Sequence, residues 1–142
     1  METSVKTVRV HTERTFAIAR SSADTFERVI FEMSEVGVTG RGEAAPTSYY
    51  RQDVRAVATA LETVEVWDPW DIEGTLAHNG AMPPSALTAL DNAMHDLAAR
   101  RLGVPVYRLL GLARPVPVSA YTLGIADKET TVAHAQRLKK HR

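Results

Sequence analysis

Among the side chains able to hold a small charged molecule, Arg20 stands out, in the run Phe16-Ala17-Ile18-Ala19-Arg20-Ser21. A guanidinium is planar, permanently charged and able to grip a carboxylate through two parallel hydrogen bonds. The small and polar residues that follow, through Asp24, read as a loop. On a loop Arg20 could hold a carboxylate of a ligand, or be an ordinary solvated charge; the residues alone leave both open. Asp91, His95 and Asp96 form a second cluster. Asp91 and His95 stand at i and i+4 of a helical pattern and could share a face. A metal pair there competes with a plainer role, in which the acids bond backbone and arginine. Gly40-Arg41-Gly42 is no dinucleotide fingerprint, because the third glycine is missing and Pro46 with a loop follows. Backbone freedom at a strand end is the reading of these glycines, and Glu43 beside them has either a structural or a hydrogen-bonding role. Tyr49 and Tyr50 fit partly buried amphipathic rings at a helix start. Trp67 and Trp70 read as packing anchors between helices. His11, His78, His134 and His141 have no clustered partners. Lys139-Lys140 is an adjacent pair near the end, not a spaced catalytic pair.

Composition narrows the classes. The 142 residues are 44% hydrophobic and 24% charged, enough for one domain with a core. Seventeen basic residues balance seventeen acidic ones, so there is no broad electrostatic case for nucleic acid or an anionic membrane. The absence of cysteine removes disulfides, thiolate metal sites and a cysteine nucleophile. Residues 1–9 lack the apolar core of a signal peptide, and no run approaches the roughly 20 apolar residues of a membrane span. A cytoplasmic protein is the expectation.

The elements that must position these residues follow from pattern. Val5, Val8 and Val10 begin a strand, Phe26 to Met33 makes a second, and Gly37 turns into a third, Val38 to about Glu43. Together they read as an antiparallel meander. Val54, Val57, Ala58, Leu61 and Val64 fit an amphipathic helix over about 51–66. Asp71 caps a short helix to His78, closed by Asn79-Gly80. Leu87, Leu90, Met94, Leu97 and Ala98 stripe a long helix after Pro83-Pro84, with Ser85 as the expected N-cap and Pro84 as the alternative that sets its start. Arg100 and Arg101 suit its C-terminal dipole, Gly103 its left-handed cap, and Pro105 blocks continuation. A short helix, Val106 to Leu110, ends at Gly111. Val116 to Ile125 reads as a more continuously apolar strand, as parallel strands do, and Asp127-Lys128-Glu129-Thr130 opens a helix through Leu138. A strand followed by a helix opens a β/α unit, yet the crossover has no second parallel strand to join.

Three stretches resemble the mandelate racemase and muconate lactonizing enzyme group of the enolase superfamily. Gly40-Arg41-Gly42-Glu43-Ala44-Ala45-Pro46 is similar to its G-x-G-E-x-x-P. Ala89-Leu90-Asp91 through Arg100, with Leu102-Gly103-Val104-Pro105 and Leu109-Leu110-Gly111, is similar to its long cap-helix signature. Tyr121-Thr122-Leu123-Gly124-Ile125 is similar to its first barrel strand. The implied fold class is α+β: an enolase-type N-terminal capping domain (1–112), a three-stranded antiparallel meander plus helices, followed by the first β/α unit of a truncated TIM-like barrel (113–142). A complete barrel takes about 250 residues, and the sequence holds 142 in all.

Within the group, Phe16 to Ser21 resembles the F-x-I-A-R-G/S lid of dipeptide epimerases of the L-Ala-D/L-Glu type, although Thr15 replaces a proline and Arg41 a tryptophan of that pattern. The resemblance implies a magnesium-dependent 1,1-proton transfer at a carbon α to a carboxylate, with an acidic dipeptide as substrate. It assigns substrate contacts to Arg20, Thr122, Phe16 and Tyr50. The family's catalytic lysines and metal ligands match no position here, so the expectation is no catalytic residue, no metal bound to this chain, and no activity without the missing barrel domain as partner. Muconate cycloisomerase and o-succinylbenzoate synthase are sibling readings, and a non-catalytic interaction module is the alternative of another class. Self-association and the exact substrate are left open.

Overall fold

In the computed structural model, residues 1–113 and 120–139 are described. The elements run β1 (Glu2–Ile18), β2 (Ser21–Glu35), β3 (Val38–Ala44), a 3-10 turn (Ser48–Tyr50), α1 (Val54–Glu62), α2 (Ile72–His78), α3 (Pro84–Leu102), α4 (Val106–Leu109) and α5 (Lys128–Lys139). They divide into two compact units, one of residues 1–9 and 27–114, the other of 10–26 and 115–142. The division runs through both β1 and β2.

The first unit holds the core. The strand order is β1-β2-β3, and the β2–β3 register pairs Val29 with Ala44, Phe31 with Gly42 and Met33 with Gly40. These three pairs occupy the buried positions of both strands, and all six residues are buried. Large side chains on β2 therefore stand beside very small residues on β3. The reason is α3, which packs against β3 through Ala89, Ala93 and Leu97. A Cβ on Gly42 would lie 1.8 Å from the Ala89 carbonyl oxygen, and one on Gly40 would lie 2.3 Å from that of Ala93. Neither glycine has a positive φ. The expectation of backbone freedom at a strand end is corrected: these glycines are there to let a helix backbone touch the strand. Phe31, Met33, Leu61, Leu90, Met94 and Leu97 fill the remaining space.

Local chemistry fixes the ends. The Asp53 carboxylate accepts from the Ala56 N–H at 3.0 Å and starts α1 after Arg51, which is held left-handed at φ 55°, and the helix ends at Glu62, short of the expected 66. Asp71 caps α2 through the Gly74 N–H at 2.9 Å. Asn79, buried, donates to the carbonyls of Glu65 (3.0 Å) and Thr75 (2.9 Å). For α3 the expected Ser85 cap is replaced by Pro83, with Pro84 in the first turn; proline needs no donor partner there. The Ser85 hydroxyl is buried without a hydrogen-bond partner. Gly103 ends α3 at φ 66°, as expected. The turn between β2 and β3 has positive φ at both Val36 (50°) and Gly37 (77°), the backbone of a two-residue type I′ hairpin. Trp67 is 76% exposed and stacks on His78 at 4.2 Å, so it is no anchor between helices. Trp70 lies under the Arg101 guanidinium at 4.4 Å.

The second unit contains the tip of the β1–β2 hairpin and α5. The sequence read the residues after Ile18 as a loop through Asp24; instead both strands continue and only Ala19-Arg20 forms the turn. The ribbon is stabilised by cross-strand polar contacts in place of alternating burial: Thr25 Oγ1 with His11 Nδ1 at 3.1 Å, and Thr12 Oγ1 donating to the Asp24 carbonyl at 3.3 Å. Of the expected strand Val116 to Ile125, residues 116–119 lie outside the described residues, and 120–125 form no strand. Asp127 caps α5, accepting from the Thr130 N–H (2.8 Å) and hydroxyl (2.7 Å); these bonds hold its carboxyl below the ordinary value.

Candidate functional site

A cleft of about 160 Å³ opens within the second unit. One wall is β1 from Thr12 to Phe16. The other is the segment 121–126 with Thr130 and His134 of α5. Phe16 and Thr122, far apart in sequence, meet here as lining residues. Tyr121 and His134 set their rings edge to face, 5.9 Å between centroids. The two sides are joined by backbone: the Ile125 N–H donates to the Ala17 carbonyl at 2.7 Å. Gly124 lies close to the same strand, where a Cβ would stand 3.2 Å from the Ala17 nitrogen, a tight contact.

Arg20 sits in the turn of the same hairpin, outside the cleft lining, and is exposed. Tyr50 belongs to the first unit, 68% exposed and edge to face with Tyr49 at 4.8 Å. The structure thus brings Phe16 and Thr122 together, places Arg20 in their unit, and sets Tyr50 in the other.

Two residues that the sequence did not single out frame the cleft. Glu13 on β1 accepts from both terminal nitrogens of Arg137 on α5, at 2.8 and 2.6 Å. Those bonds, with the Arg137 charge, lower the Glu13 carboxyl to about 2. The residues are 124 positions apart, and no spacing rule reaches across that interval.

The acidic helix cluster resolves into structure. Asp96 accepts from the Arg41 N–H (2.9 Å) and from Arg100 (2.8 Å), while His95 turns its Nδ1 to Asp91 at 3.0 Å. Glu43 pairs with Arg28 at 3.3 Å, and Arg41 with Glu32 across the strands. Among the described residues no group of three His, Cys, Asp or Glu could hold a metal ion. The described residues therefore do not fit a magnesium site. Among them no helix is long and apolar enough to cross a membrane.

Comparison with known proteins agrees with this architecture. Residues 2–111 match the mandelate racemase / muconate lactonizing enzyme N-terminal domain. An L-Ala-D/L-amino acid epimerase of Maribacter sp. is 31% identical over 141 residues, covering 94% of this chain and 42% of that protein. An L-Ala-D/L-Glu epimerase of Bacteroides thetaiotaomicron is 34% identical over 117 residues, covering 78% of this chain and 30% of that protein. A crystal structure of a dipeptide epimerase from Methylococcus capsulatus, complexed with Mg and L-Arg-D-Lys, superposes with a TM-score of 0.88 at 28% identity, over 98% of this chain and 42% of that one. The chain spans less than half the length of these relatives. With a three-stranded sheet under a long helix, glycines at their contact and a family match across residues 2–111, the chain belongs to the mandelate racemase / muconate lactonizing enzyme family, in which it corresponds to the N-terminal capping domain.

Proposed function

We propose that this chain is the N-terminal part of a magnesium-dependent dipeptide epimerase that moves the proton at a carbon α to a carboxylate in an acidic dipeptide. The observation that carries the reading is alignment with dipeptide epimerases across nearly the whole chain. In this reading Arg20 pairs with a substrate carboxylate, Phe16 supplies an apolar wall, Thr122 donates or accepts a hydrogen bond, and Tyr50 adds a second specificity contact. The segment from 113 onward starts the barrel. Proton transfer needs a base on each face of the reacting carbon. Those bases, and the carboxylates that would hold magnesium against the developing enediolate, are assigned outside these residues. The metal would supply electrostatic stabilisation of that charge.

The test is incorporation of deuterium from D2O at a dipeptide α-carbon, with magnesium present, using the complete reading frame in which this sequence occurs. L-Ala-L-Glu should exchange faster than L-Leu-L-Tyr. Arg20→Ala should lower kcat/KM for the acidic dipeptide by about thirtyfold, the loss of a charge-assisted hydrogen bond of roughly 2 kcal/mol. The 142-residue chain alone should not exchange. Equal rates with and without Arg20 remove it from the site, and exchange with no dipeptide overturns the reading.

A further inference from the structure

The second unit has little to keep it assembled: none of its described residues is buried. Segments with so few apolar contacts open locally at small cost. Among the described residues, β1 is joined to the 121–139 segment by the backbone hydrogen bond from Ile125 to Ala17 and by the double contact between Glu13 and Arg137. An isolated exposed ion pair contributes little, but the forked arginine–carboxylate geometry seen here is the case in which it does contribute. Glu13 lines the cleft beside Phe16, so its partner on α5 fixes the distance between the two walls.

We infer that Glu13 and Arg137 form a latch, positioning residues that keep the β1–β2 hairpin tip docked on α5 and so keep the cleft shaped for a ligand. Neither residue need touch that ligand. The latch stands apart from the epimerase reading, because its signature is the opening of the hairpin and not turnover.

Hydrogen exchange of the chain, followed by mass spectrometry, tests it directly. In Glu13→Gln and in Arg137→Gln, peptides covering 10–26 and 120–139 should exchange about fivefold faster, while those covering 27–113 stay unchanged. The double variant should be no faster than either single one, since both remove the same contact. Raising salt from about 0.05 M to about 1 M should speed the same peptides in the parent chain and leave Glu13→Gln unaffected. Arg137→Lys, which keeps the charge but loses the fork, should fall between, and it serves as the reading if a glutamine variant also loosens 27–113. Unchanged exchange in 10–26, or additive effects in the double variant, overturns the latch.

Discussion

Replacing Gly42 with alanine adds one methyl group, and the structure says where it must go. The new Cβ would lie 1.8 Å from the Ala89 carbonyl oxygen, 2.7 Å from the Ala89 carbonyl carbon and 3.0 Å from its Cα. Ordinary contact begins at 3.4 Å, so β3 and α3 would have to separate locally by about 1.6 Å. The obstacle is backbone in mid-helix and cannot rotate away. A gap of 0.5–1 Å already forfeits about a quarter to a half of a dispersion contact, and here Val29, Phe31, Met33, Leu90, Met94 and Leu97 all lie buried around the contact. The cost is at least about 3 kcal/mol, the upper end for overpacking, against a total of roughly 5–15 kcal/mol for an ordinary domain. Thermal unfolding followed by circular dichroism should show a drop in Tm of about 15 °C or more, or no cooperative transition at all. Ala89→Gly should not rescue it, because the obstructing atoms are main chain. Gly37→Ala is the control: nothing lies within 4 Å of the added methyl, and the positive φ alone should cost about 1 kcal/mol. A Gly42→Ala protein within 1 kcal/mol of the parent would refute the close-contact account.

Two further outcomes follow from single residues. Val36, 90% exposed at φ 50°, is a β-branched residue in the left-handed region; Val36→Asn should stabilise the chain by about 1 kcal/mol in urea unfolding, since asparagine tolerates that backbone, and a destabilised variant would count against strain at this turn. Glu13 titrates at about 2 where an unpartnered glutamate has 4.5; the charges facing it are Arg137, Arg14 and His134. Because the folded value lies below the unfolded one, the stabilisation from the pair is complete above about 4.5 and fades as pH falls through about 2. A carboxyl-detected NMR titration should place the Glu13 midpoint near the low value in the parent and return it toward 4.5 in Arg137→Gln; an ordinary midpoint in the parent would contradict the contact.

Much of the first unit was legible because burial imposes a period. Leu90, Met94 and Leu97 recur at helical spacing, and Phe31 and Met33 alternate with Ile30, Glu32 and Ser34, so the meander and α3 follow from the pattern. Gly103 and Asp71 announced helix ends by their chemistry. At Pro83-Pro84 the sequence offers two starts, Ser85 as a cap or Pro84 itself, and the structure takes the proline start, which leaves the Ser85 side chain superfluous as a cap. The hairpin tip was illegible as strand for the complementary reason. With no buried face over 10–26, nothing imposed alternation, and Ser21-Ser22-Ala23-Asp24 looked like a loop while pairing as a ribbon. The same gap hides the cleft. Phe16 and Thr122 came to notice through family resemblance, and Glu13 and Arg137 carried no signal beyond opposite charge. The glycines of Gly40-Arg41-Gly42 were visible, but the partner that requires them lies about fifty residues later on α3.

The division of β1 and β2 between two units also sets a timetable. Everything in the first unit has been synthesised by residue 114, and its strands and helices can collapse around Phe31 and Leu90 once they clear the ribosome, while later residues are still being added. Residues 10–26 are made early, directly after residues 1–9, yet their partner Arg137 is made 124 residues after Glu13. A nascent chain must therefore carry an exposed, unaccompanied ribbon until α5 emerges, and the polar threonines, serines and charges along it are what keep that wait from ending in strand pairing with a neighbour.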